Sequence, residues 1–108
     1  MVHRAVIVAE NGSTRAVAVD HDRLHVLLGG ALTLCGAIPH LDAVAVCLEA
    51  PPAGASRNAL LQGRDGFDSS VSGTVVLVGS DADGLPCDLD ADAVVAHLKE
   101  ASPPSPSR

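Results

Sequence analysis

The run Thr-Val-Val-Leu-Val at positions 74–78, framed by Gly73 and Gly79, constrains the fold more than any other part of the chain. A short unbroken series of β-branched and aliphatic residues between glycines reads as a buried strand. Gly79 to Asp88, rich in Asp and Gly, reads as an acidic turn, and Asp92 to Leu98 has the spacing of a short helix. A buried strand followed by a covering helix implies a domain that mixes sheet and helix.

The remainder of the chain supplies the other parts of such a domain. His3 to Glu10 is β-branched and compact, Asn11-Gly12 tolerates positive φ, and Thr14 to Val19 alternates outward Arg15 with inward valines, which together predict an opening β-hairpin. Asp20 is placed to cap a helix over Asp22 to Leu28, ended by Gly29-Gly30. Leu32 and Leu34 alternate with Thr33 and Cys35, Pro39-His40 interrupts, and Ala43 to Leu48 is a further apolar strand. Glu49 to Ala55, with Pro51-Pro52 and Gly54, is an exposed loop, and Ser56 is expected to cap a short helical turn over Arg57 to Gln62. Gly63 to Ser70 is polar, carries two glycines, and is expected to be a mobile connection into the strand at 74–78. The closing helix starts near Asp90 or Asp92. The expectation is one α+β domain over residues 1–100: a small two-layer sandwich with an N-terminal β-hairpin, a mixed or antiparallel sheet, and two to three short helices on one face. Residues 101–108, Ala-Ser-Pro-Pro-Ser-Pro-Ser-Arg, are expected to form a disordered tail.

Composition narrows function by exclusion. The chain of 108 residues is 47% hydrophobic but holds a single aromatic, Phe67, so base-stacking platforms and aromatic cages cannot be built. With 7 Lys and Arg against 13 Asp and Glu, the formal charge of −6 repels nucleic-acid phosphates and anionic lipid. Neither a nucleic-acid nor a membrane partner is expected, and solvated acidity accounts for the charge without mimicry of DNA. Cys35, Cys47 and Cys87 are odd in number and widely spaced, which predicts reduced, mostly buried thiols and, with no secretory pattern or long apolar run, a cytoplasmic protein.

Several polar groupings invite a chemical role. Asp81-Ala82-Asp83-Gly84 has the centre of a calcium loop, but Gly79 would then stand at the first ligand position and Asp90 at the twelfth, so a hairpin turn is expected instead. Asp88, Asp90 and Asp92 alternate, so that in extended chain they share one face, while one or two of them can equally cap the last helix; that structural role is expected rather than a metal site. His21 and His25 stand four residues apart, the helical spacing for shared metal ligation, with a cysteine or an acid needed to complete the set. No Gly-x-Ser-x-Gly elbow and no phosphate-binding glycine loop is present, so no catalytic residue and no cofactor is assigned. Arg57-Asn58 follows the proline-rich loop and precedes Ala59-Leu60-Leu61, an apolar anchor, which makes the pair the candidate binding residues; the competing expectation is that Asn58 bonds the loop backbone while Arg57 is solvated.

The order of parts, from the hairpin through Gly29-Gly30 and Arg57-Asn58-Ala59 to Gly73-Thr-Val-Val-Leu-Val-Gly79 and the Asp-Gly turn leading to Leu89, resembles a family of small proteins of unknown function from actinobacteria, their phages and mobile elements. The resemblance spans roughly residues 4 to 98. It departs from that pattern at Leu48-Glu49-Ala50-Pro51, where an acidic segment is usual, and in lacking aromatics near Gly30. What it implies is a non-enzymatic accessory protein of a phage or mobile element, binding a host or phage protein through a sheet edge or through Arg57 and Asn58. A homodimer is a second expected association, because a small sheet with few lysines leaves its edges unguarded. The alternative is a small-molecule or metal-binding module using His21, His25 and a Cys or Asp.

Overall fold

The computed structural model describes residues 2–50, 53–68 and 71–100; the expected Pro/Ser tail at 101–108 lies outside the described residues. The chain forms β1 (Val2–Val8), β2 (Thr14–Asp20), a 3-10 turn His21–Arg23 continuing into α1 (Leu24–Leu28), β3 (Leu32–Ile38), β4 (Ala43–Leu48), β5 (Val75–Ser80), β6 (Pro86–Cys87) and α2 (Ala91–Glu100). The strands make one six-stranded sheet in the order β2-β1-β5-β4-β3, with the short β6 beside the end of β5. Every pairing is antiparallel. The result is an α+β domain dominated by its sheet.

The β1-β2 hairpin forms where the sequence predicts it. Gly12 takes a φ of 92°, and the Asn11 carboxamide oxygen accepts from the Ser13 N–H at 3.0 Å and from its hydroxyl at 2.8 Å, so the turn is held by its own side chains. Asp20 accepts from the Asp22 N–H at 3.0 Å and starts the helical segment, which Gly29 ends in the left-handed conformation at φ 89°.

The apolar run Val75–Val78 occupies the middle of the sheet, and its lack of alternation has a direct consequence. Val75 and Leu77 enter one core with Val6, Val8, Val94 and Leu98, whereas Val76 and Val78 enter a second with Ala5, Val19 and Leu24. The two helices therefore cover opposite faces, and the expected placement of all helices on one face is corrected: a strand apolar on both sides requires cover on both. Val94 and Leu98, fully buried on α2, each contribute roughly 1.5–3 kcal/mol through removal from water. The five-residue α1 is too short to cover its face as completely, and Leu34 remains 65% exposed.

Two further expectations change. The segment after the proline-rich loop is a series of turns rather than a helical turn capped by Ser56; the Ser56 N–H instead donates to Glu10 Oε2 at 3.1 Å. The described part of the 63–70 segment is not a loose connection. Gly66 O accepts from the Ala37 N–H and the Asp68 N–H donates to Cys35 O, both at 2.9 Å, so residues 66–68 lie along the outer side of β3. Arg64 within it is buried. Among the described residues no helix is long and apolar enough to cross a membrane.

Candidate functional site

Asn58, one of the two expected binding residues, lies entirely inside the protein at 0% exposure. Its amide nitrogen donates to Val8 O at 3.2 Å, Ala9 O at 3.1 Å and Gly73 O at 2.9 Å, and its oxygen accepts from the Leu60 and Leu61 N–H groups at 3.1 and 3.2 Å. Two N–H bonds shared among three carbonyls leave no hydrogen-bonding capacity for a partner. Asn58 thus joins the end of β1, the start of β5 and the 59–63 turn, and it cannot present a recognition surface. Arg57 is exposed beside it, its backbone bridged to Ser72.

The histidines are arranged differently from their spacing in sequence. His21 turns inward, donates from Nε2 to Gly79 O at 3.3 Å, and meets His3 edge-to-face with ring centroids 5.3 Å apart. His25 is exposed on α1. A second pair, His40 with His97, brings the β3-β4 turn against α2 at 4.8 Å between centroids. Among the described residues no group of three or more His, Cys, Asp or Glu side chains is placed to hold a metal ion.

The acidic residues serve the backbone. Asp81 Oδ1 accepts from the N–H groups of Asp83 at 2.9 Å and Leu85 at 3.0 Å across the Asp-Gly turn, Asp88 accepts from the Arg4 N–H at 2.7 Å, and Asp90 caps α2 through the Ala93 N–H at 3.1 Å. These are the hairpin and cap roles expected of Asp81 and Asp90. Asp88, outside the cap, fastens β1. Cys35 and Cys47 are buried side by side across β3 and β4, and burial, followed by the hydrogen bond between the two thiols, pushes the Cys35 thiol well above its ordinary value. Such a thiol is a poor nucleophile.

The open surface lies at the β2 edge. Arg4 turns both its N–H, to Asp88, and its C=O, to the Leu89 N–H, away from β2. In an antiparallel ladder the residue directly opposite follows the same alternation, so Ala18, paired with Arg4, directs its N–H and C=O outward, and Ala16 does likewise. Among the described residues nothing pairs with these outer groups. The other edge differs, because residues 66–68 already occupy the outer side of β3 at Cys35 and Ala37. A recess of about 550 Å³ borders the β2 edge, floored by the exposed Ala16 and Ala18 and flanked by Val2, Arg4 and Asp88.

Sequence reasoning named a sheet edge without saying which one, and it missed the recess. The visible signal was the pair of small residues Ala16 and Ala18 alternating with Val17 and Val19 on a strand without Pro or Lys. Compared with known proteins, the chain matches no family model, no curated protein and no solved structure.

Proposed function

We propose that this chain is a non-enzymatic protein-binding domain that takes an extended segment of a partner protein onto the outer side of β2. The observation that carries this reading is the pair of outward backbone groups at Ala16 and Ala18 beside a recess floored by small side chains. Main-chain hydrogen bonds supply affinity in this mode and side-chain pockets supply selectivity. The matching partner segment carries apolar side chains at alternate positions, which descend over Ala16 and Ala18, and no proline opposite them. A host protein met by a cytoplasmic accessory protein of a phage or mobile element is the partner that the sequence resemblance suggests.

Proline at either alanine tests the mode. Ala16→Pro and Ala18→Pro each remove one outward N–H while leaving the inward ladder to β1 intact, so both variants remain folded. In affinity capture from host lysate, the same partner is recovered by the wild-type chain and lost with both variants, and hydrogen exchange at the Ala16 and Ala18 amides slows when that partner binds. Capture that survives both prolines, or a partner that leaves those two amides unprotected, excludes the β2 edge.

A further inference from the structure

A strand lying along the outer side of β2 meets side chains whose positions the hairpin register fixes. Ala16 and Ala18 turn their main-chain groups outward, so Arg15, paired with Ile7, turns its own inward to β1. Towards the outer side Arg15 therefore stands at a non-hydrogen-bonded position. There the residue opposite comes within about 4.5 Å between Cα atoms, and side chains are at their closest. Arg15 shares the α1 face of the sheet with Val17 and Val19. It is exposed, and among the described residues no carboxylate pairs with its guanidinium. The other cation at this edge differs, because Arg4, on the opposite face, shares its recess with Asp88.

We propose, resting on the β2 edge as the docking strand, that Arg15 selects the partner: the bound segment carries a carboxylate opposite Arg15, on the face away from the apolar side chains that lie over Ala16 and Ala18. Charge complementarity commits the edge to such a segment rather than to a second copy of this chain. The face of β2 that holds Arg15 otherwise carries Val17 and Val19, with Ser13 and His21 just beyond the strand. When two β2 strands pair antiparallel through Ala16 and Ala18, only residues of this face come opposite Arg15, and none of them is an acid. Asp20 lies on the other face. An exposed arginine on the edge thus disfavours self-pairing and favours a strand that brings a carboxylate. The net charge of −6 repels an acidic tract at long range, so a single carboxylate in register is what matches this edge.

The probe is a displayed library of random peptides, panned on the full chain. Peptides whose capture both Ala16→Pro and Ala18→Pro abolish are expected to share the order apolar-x-apolar-acid, with the acid beside the residue that covers Ala16. In a synthetic peptide of that set, replacing Glu by Gln at the acid position weakens binding to the wild-type chain about two- to fivefold and leaves binding to Arg15→Gln unchanged. Panning on Arg15→Glu selects Lys or Arg at the same position. Proline-sensitive peptides without an acid there, or a preference that Arg15→Glu does not reverse, overturn the role of Arg15 and leave the β2 edge standing. Absence of any peptide sensitive to both prolines overturns the edge and the role of Arg15 together.

Discussion

Asn58 shows how one buried side chain can replace a regular element. Three carbonyls from β1 and the approach to β5, and two N–H groups of the following turn, depend on its carboxamide. Asn58→Ala strands these groups without water, and the expected loss is about 3 kcal/mol, measured by urea denaturation. The local half of this role was legible, since an Asn ahead of Ala-Leu-Leu is a ready cap; the distant half was not, because the carbonyls of Val8 and Ala9 lie some fifty residues away in sequence. Thiol chemistry divides by depth in the same way. With Cys35 and Cys47 buried and Cys87 half-buried, a thiol reagent at neutral pH is expected to modify Cys87 alone in the native protein. That reaction is slowed because burial, and then the charge of Asp81, raises the Cys87 thiol. Labelling followed by mass analysis, with and without denaturant, checks both statements.

The elements depend on contacts their own sequences do not contain. Arg64 is 7% exposed, and its guanidinium donates from Nη2 to Leu98 O at 2.6 Å and from Nε to Leu60 O at 3.2 Å, so the last turn of α2 is satisfied by a residue from the 59–68 segment. Burial lowers its pKa from the ordinary guanidinium value, yet the group stays charged and complements the negative end of the helix. Arg64→Met keeps the volume and removes both donors; it is expected to cost about 1.5–3 kcal/mol and to speed hydrogen exchange selectively in the last turn of α2. At the other helix the Asp20 carboxyl is held below its ordinary value of 3.8 by the Asp22 N–H. A lowered folded-state value stabilises the fold above pH 3.8, and that contribution is lost as pH falls through the lower value. Asp20→Asn should therefore flatten the fall in thermal stability on going from pH 5 to pH 3, observable by circular dichroism.

For the molecule as a whole, the outer side of β2 is the sheet edge whose backbone groups are left open among the described residues. If two copies pair there, light scattering will show a concentration-dependent dimer that Ala16→Pro and Ala18→Pro both abolish; a dimer that persists in the variants forms elsewhere. The hairpin, the apolar central strand and the two helix starts were readable from residues alone, because each rests on local chemistry: Asn11-Gly12 at a turn, the unbroken aliphatic run Val75 to Val78, Asp20 and Asp90 at first turns. The two-residue β6 escaped notice because nothing within Pro86-Cys87 favours a strand, and only the neighbouring β5 makes it one. The same holds for the partner of His21. Helical spacing pointed to His25, but the 3-10 turn and the β1-β2 register brought it to His3 instead. Local preferences act over a few residues and decide which segments extend, turn or coil. Strand order, the covered and open edges, and the side chains that meet across them arise from pairing and burial between segments far apart in the chain, which fixed spacing along one segment does not encode.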